Sequence, residues 1–269
     1  MTNQKVEQPV KKITEGAEQA ARAESAPPHV RHYRALLFRG TLFIIAGAFG
    51  VLTFLVKTTP SFAIDLQITQ AIQMIRSPVF NAAMIWLSWP GFTPQSMIIV
   101  VLVILFIWIS GLHWEAVMAL AAAVLSTGVN LLVKDLIHRP RPTAAQVTVI
   151  DLLKSYSFPS GHVMFYVGFF GFVAFLVFSL LKPSMKRTLI LVFINLWIVL
   201  IGVSRISLGE HWASDVLGAY LLGSLTLVAI VQLYLWGKTR FFVNQPVAPA
   251  TPEPTMPQKE PPPAVKDGE

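Results

Sequence analysis

Three short clusters lie in order along the chain: Lys134 with Arg141-Pro142, then Pro159-Ser160-Gly161-His162, then Ser204-Arg205 followed by His211 and Asp215. They combine cations, imidazoles and a carboxylate, the set needed to hold a phosphate, attack its phosphorus and protonate its leaving group. A phosphate monoester is dianionic near neutral pH. The transition state for its transfer spreads charge over the equatorial oxygens, where pre-placed cations and backbone N–H groups stabilise it. Lys134, Arg141 and Arg205 form a natural clamp, since arginine offers paired donors in a planar fork and lysine a compact charge. Free amides at a helix start bind anions, Gly161 lets the backbone come close, and the Ser160 hydroxyl adds a donor. His211 and Asp215 stand at i and i+4, hence on one helical face. A carboxylate that holds one imidazole nitrogen fixes the tautomer and leaves the other nitrogen free as a nucleophile. Taken singly, each feature has a plainer reading: a cation snorkelling at a membrane edge, a helix-entry turn, an interfacial histidine beside a helix-start aspartate. The three clusters together favour chemistry.

The run Lys, six residues, Arg-Pro, then Pro-Ser-Gly-His, then Ser-Arg, five residues, His, three residues, Asp resembles the tripartite signature of the type 2 phosphatidic acid phosphatase superfamily. No signature position departs, and the likeness covers roughly residues 36–236, including the hydrophobic layout. The resemblance implies a division of labour. His211 would attack phosphorus and form a phosphohistidine, with Asp215 orienting and charge-balancing it. His162 would protonate the leaving group and then activate the hydrolytic water. Lys134, Arg141, Ser160, Gly161 and Arg205 would hold the phosphoryl oxygens. That scheme implies no metal and no other cofactor, and the sequence holds no compact carboxylate or histidine cluster that would suggest one. Arg139 and His138 lie outside the signature; the first is assigned to snorkelling or headgroup contact and the second to the interface, without a further role.

The elements that must position these residues follow from the composition. Of the 269 residues 54% are hydrophobic and 13% charged, against about 25% charged in ordinary soluble domains, which points to lipid as the solvent. Apolar stretches approach the ~20 residues needed to cross the hydrocarbon as helix. Six are predicted, at 36–56, 93–109, 116–133, 163–181, 188–203 and 216–236. The second is interrupted at its start by Pro90-Gly91 and Pro94. Backbone polar groups in hydrocarbon must be satisfied internally, and few segments alternate with period 2, so the expected architecture is an all-α, polytopic bundle of six transmembrane helices. Between the first two spans, Ile64, Ile68, Ala71, Ile72 and Ile75 recur at helical spacing, with Asp65, Gln67, Gln70 and Gln73 on the remaining surface. That pattern predicts an amphipathic interfacial helix, capped by Ser61 and ended by Ser77-Pro78; a connector packed on the bundle fits it equally well.

The net charge of +7 does not form the dense stripe that nucleic acid would require, and no nucleic-acid partner is expected. Outside the signature the basic residues gather beside spans, as Arg31, Arg34 and Arg39, then Lys182, Lys186 and Arg187, then Lys238 and Arg240. With six spans these fall on one side, cytoplasmic by the positive-inside rule. Both termini are then cytoplasmic, and all three clusters face outward at span ends. The absence of cysteine excludes disulfides, thiolate metal sites and a cysteine nucleophile. Residues 1–30 are polar without the apolar core of a signal peptide, so the first span is expected to remain as an anchor. The expected organisation is a polar, disordered segment at 1–30, a six-span membrane phosphatase domain at 31–240 and a Pro-rich disordered tail at 241–269.

The leading reading is therefore an integral membrane phosphatase acting on a lipid phosphate or diphosphate. Undecaprenyl diphosphate, phosphatidylglycerol phosphate and phosphatidic acid are the substrates that the resemblance suggests, and a bacterial inner membrane is the setting. The lipid substrate and surrounding membrane lipids are the expected partners. Two alternatives remain: a lipid-binding or transport protein with a vestigial site, and an enzyme like the vanadium haloperoxidases, whose similar cradle binds vanadate. The loop at 143–157, with Asp151 and Lys154, is a candidate headgroup contact.

Overall fold

A computed structural model describes residues 27–59, 61–151 and 153–243. Most of the expected polar N-terminal segment and of the Pro-rich tail lies outside these residues. The described residues are helical, with no strand among them. In order they form α1 (Pro28–Thr58), α2 (Ala63–Gln73), α3 (Pro78–Ser88), α4 (Gln95–Ile109), α5 (His113–Ile137), α6 (Gly161–Leu180), α7 (Met185–Ser207) and α8 (Ala213–Lys238). Five helices, α1, α5, α6, α7 and α8, are each long and apolar enough to cross a membrane. The sixth crossing exists only if α3, extended by the short 3-10 turn Trp89–Gly91, and α4, bent from it by 61° at residues 92–94, are counted as one broken span. Pro90-Gly91 and Pro94 break the helix where the sequence interrupts its apolar run.

Side chains such as Phe43 (79% exposed), Phe106 (73%) and Ile109 (74%) point outward on this bundle, as lipid requires and water would not tolerate over so wide a belt. The most enclosed span is α6, with Val163, Met164, Tyr166, Phe169 and Phe172 buried. It approaches α5 through small residues: Ala116, Ala119 and Ala122 are buried, and a Cβ on Gly168 would sit 1.7 Å from Ser126 Oγ. Without a hydrophobic force between helices in lipid, such close backbone approach gives dispersion contact its full reach. Gly168 lies within a single π turn, Tyr166–Phe170, that interrupts α6. At the bundle end away from the three clusters, Glu115 of α5 is buried, ion-pairs with Lys238 of α8 and accepts from Tyr234 Oη at 3.0 Å.

Several expected boundaries shift for local reasons. Pro28 falls in the first turn of α1, where the missing N–H costs nothing, so that helix begins well before the predicted 36. The N-cap of α2 is Phe62, without a side-chain cap, and not Ser61. Ser77 does more than end the pattern, because its side chain accepts from Phe80 N at 3.3 Å and opens α3. The polar side of α2 is not wholly wet either. Asp65 is buried, and the Gln73 amide donates to Thr148 O (2.7 Å) and Ser207 O (3.0 Å) while accepting from Thr148 N (3.0 Å). Ile68 and Ile72 pack against the core, so α2 is bound to the bundle on two faces.

Candidate active site

Helix α5 ends at Ile137, where His138 takes a left-handed conformation (φ 58°) and its amide bonds Lys134 O. The chain then leaves through Arg139-Pro140-Arg141-Pro142, whose prolines forbid a return to helix. Lys134, on the last turn, is buried and donates to Tyr156 O. Arg141 spreads its fork over the facing loops. Nε donates to Ser155 O (2.7 Å), Nη2 to Ser155 Oγ (2.9 Å) and Nη1 to Glu210 O (2.6 Å). Arg141 Nη1 also lies 3.3 Å from His211 Nε2.

His211 sits between α7 and α8, buried, with its amide bonded to Arg205 O at 3.3 Å. Its Nδ1 faces Asp215 Oδ2 at 3.5 Å. This is ion-pair range and too long for a hydrogen bond, because Oδ2 is already shared by Trp212 N (2.9 Å) and the Ser157 hydroxyl. The bond from Trp212 N makes Asp215, at the third helical position, a cap of α8. Burial above all, then the charges of Arg141, Lys134 and Arg205, hold the His211 imidazole well below its ordinary pKa. It is therefore neutral near pH 7, and with the proton on Nδ1 its Nε2 lone pair points toward Arg141.

The second cluster lies against this group. Ser160 N donates to Asp215 O (3.2 Å), so that amide is not free for an anion, and Pro159 O accepts from Asn130 Nδ2 (3.0 Å). A Cβ on Gly161 would meet Asn130 Oδ1 at 3.3 Å, so glycine keeps α6 close to α5. The buried atoms Ser160 Oγ and His162 Nε2 find no hydrogen-bond partner among the described residues. The His162 ring meets Phe92 edge-on (4.6 Å between centroids), and Arg205 lies over the same Phe92 ring at 5.2 Å. Arg205 is fully buried. It ion-pairs with Glu210 and donates from Nη1 to Ser88 Oγ (2.8 Å), while its Nε is unpartnered among the described residues. Ser204, its neighbour, bonds Ser88 Oγ (2.9 Å) and Met84 O (2.5 Å), which fastens α3 to α7.

All eight residues singled out by spacing thus meet at one end of the bundle, carried by α5, α6, α7, α8 and the loops between them. Residues 112–238, which hold all of them, match the PAP2 superfamily. Over this stretch the chain is similar to that superfamily. It is 29% identical over 178 residues to phosphatidylglycerophosphatase B of Bacillus subtilis, covering 66% of this chain and 86% of that one. Among solved structures, a transmembrane PAP2-type phosphatidylglycerolphosphate phosphatase from Bacillus subtilis superposes with a TM-score of 0.66 at 26% identity, over 74% of this chain and 98% of the other. LpxE of Aquifex aeolicus shares the fold, with a TM-score of 0.52 at 22% identity over 65% of this chain and 98% of its own. The two Bacillus subtilis relatives are phosphatases named for phosphatidylglycerol phosphate.

Four residues around the site escape spacing arguments. Glu210 neutralises Arg205, and its position directly before His211 is the one signal that sequence offers. Gly91 and Phe92, from the broken span, abut His162; a Cβ on Gly91 would lie 2.3 Å from the ring. Arg139, assigned from sequence to snorkelling or headgroup contact, is instead 1% exposed and bonded to two carboxylates, Asp65 and Asp215. The correction has a physical cause: a buried guanidinium persists where its charge and donors are matched. By contrast Asp151 and Lys154 are exposed.

Proposed function

We propose that this protein is a PAP2-type phosphatase that hydrolyses a lipid phosphate through a phosphohistidine on His211. The observation that carries the proposal is the arrangement around that ring: Nε2 faces the Arg141 guanidinium while Nδ1 is backed by Asp215. In the first step the Nε2 lone pair forms a bond to phosphorus and the bond to the leaving oxygen breaks. Asp215 balances the positive charge that develops on the imidazole, and His162 Nε2 gives its proton to the departing oxygen. In the second step His162 takes a proton from water. The resulting hydroxide attacks phosphorus, the P–N bond breaks, and neutral His211 and inorganic phosphate are regenerated. Lys134, Arg141, Arg205, Ser160 and the Gly161 segment hold the equatorial oxygens. The unpartnered Ser160 Oγ and Arg205 Nε are donors of the kind that role needs. The scheme calls on no metal.

Among lipid phosphates we favour phosphatidylglycerol phosphate, on the strength of the Bacillus subtilis relatives, ahead of phosphatidic acid and undecaprenyl diphosphate. The positive-inside pattern supports a site on the outer side of a bacterial inner membrane, with cytoplasmic termini. Phosphate release is measured from the detergent-purified protein with EDTA across a panel of lipid monophosphates and diphosphates, beside His211→Ala. Release that requires His211, with a trapped phosphoenzyme absent from the variant, is the expected result. Robust turnover by His211→Ala would sink the nucleophile assignment, and a folded protein inactive on the whole panel would favour a binding or transport role. Right-side-out vesicles given a water-soluble ester outside test the orientation in the same assay.

A further inference from the structure

The interfacial helix α2 sends one carboxylate into the protein. Asp65 is 1% exposed, and its two oxygens are fully engaged. Oδ1 accepts from Ser214 N (2.8 Å); Oδ2 accepts from Ser214 Oγ (2.6 Å) and Arg139 Nη2 (2.9 Å). The other arm of Arg139, Nη1, donates to Ser214 Oγ (2.7 Å) and Asp215 Oδ1 (2.6 Å). The Arg139 carbonyl accepts from Ser157 N (2.8 Å), and the Ser157 hydroxyl donates to the far oxygen of Asp215. One guanidinium thus stands between two buried carboxylates, with Ser214 wedged into the same bonds. Asp215 is fixed through Oδ1 from behind, so that Oδ2 is the oxygen turned to His211.

The charges explain why two acids are present. An Asp215 paired one-to-one with a buried arginine would form a neutral unit and offer little to a cation growing on His211. With Asp65 on the opposite arm the cluster carries a net negative charge, while Arg139 still supplies directional donors. We propose that Asp65, Arg139 and Ser214 form a positioning network that aims Asp215 and preserves its negative charge toward His211. The proposal rests on reading His211 as the nucleophile. It makes α2 a working part of the site, since none of its residues belongs to the three sequence clusters. The other charged groups facing His211 are Lys134 from α5, Arg141 after it, His162 from α6, Arg205 with its partner Glu210 from the end of α7, and Asp215 from α8. None of these groups is itself substituted at 65 or 139, so the two positions vary only the charge and the hydrogen bonds behind Asp215.

The test is a charge cycle of Asp65→Asn, which is nearly isosteric, Arg139→Gln, which removes the cation with a shorter amide, and the double variant. The rate of phosphoenzyme formation is followed against pH at saturating substrate. Removing the anion lowers the proton affinity of His211 and moves the acid limb to lower pH by about half a unit to one unit; removing the cation moves it up by a similar amount. The double variant restores the net charge and returns the limb to the wild-type position. Substrate ionisation is common to all four proteins and cancels. Each single variant is expected to lose about tenfold or more in rate with little change in KM, because aim and charge act on the chemical step; the double variant recovers part of the loss. An acid limb that stays fixed across folded variants overturns the proposal. So does a failure of all three variants to fold, which would reduce the network to a structural clamp. If the wild-type protein forms no His211-dependent phosphoenzyme, the proposed function itself falls; if it does and the limb ignores the cluster, only this inference does.

Discussion

Gly91→Ala is the most pointed perturbation that the geometry suggests. A Cβ there would lie 2.3 Å from His162 Cδ2, 2.9 Å from Nε2 and 3.0 Å from Cγ. Ordinary contact begins near 3.4 Å, so the ring or the Trp89–Gly91 turn must yield by about 1 Å. The Phe92 ring already contacts the imidazole edge-on, which leaves the movement few directions. Displacement of a proton donor by about 1 Å costs on the order of 100-fold in rate, or about 2.7 kcal/mol of transition-state free energy. Loss of aim by a general acid should weigh on esters with poor leaving groups and much less on an activated ester. The assay is the first-turnover rate of phosphoenzyme formation in detergent, compared between a lipid phosphate and p-nitrophenyl phosphate, with thermal unfolding as a check on folding. The lipid rate is expected to fall about 100-fold and the activated ester by less than about tenfold. Equal losses on both esters, or no loss on either, would refute the link from Gly91 through His162 to the leaving group.

Two further outcomes follow from the charges. Glu210→Gln strips a fully buried Arg205 of its counter-ion and should lower stability by about 3 kcal/mol. Inorganic phosphate should restore more of the melting temperature in this variant than it adds to the wild type, and equal increments would show that Glu210 does not compete for the Arg205 charge. The depressed pKa of His211 also has a signature in stability. The unfolded chain takes up a proton on this residue near pH 6.5, whereas the folded chain resists it. Stability should therefore fall as pH drops below about 6.5 and be indifferent to this group above it. Thermal melts of the wild type and His211→Gln over pH 5 to 8 measure the difference, and identical slopes would count against a neutral, buried His211.

Much of this architecture is legible in the sequence because lipid imposes a simple code. Long apolar runs mark α5, α6, α7 and α8 within a few residues and α1 except for its earlier start at Pro28, and the clustered prolines announce the broken span. The eight site residues are legible because helices of alternating direction must bring the end of α5, the start of α6, the end of α7 and the start of α8 to the same side. Arg139 and Asp65 are not legible, for two reasons. Periodicity assigns Asp65 to the wet face of α2, yet its partner lies 74 positions further along. Arg139 looks like any cation at a span end until the carboxylates that neutralise it are seen. The 3.5 Å gap between His211 and Asp215 is likewise invisible at i, i+4 spacing, which places two side chains on one face but does not say that Trp212 and Ser157 already occupy the intervening oxygen.

The π turn at Tyr166–Phe170 divides α6 into segments that keep separate angular registers. One additional residue in a turn rotates everything beyond it by about 100°. The first segment, with Gly161 and His162, is clocked to the candidate site; the second, with Phe172 and Leu176, is clocked to the neighbouring helices deeper in the bundle. Deleting one residue there would turn one segment against the other and force a choice between a formed site and a packed interior. The turn therefore works like a gear inserted in a shaft, setting the buried length of the helix at one angle and its tip at another.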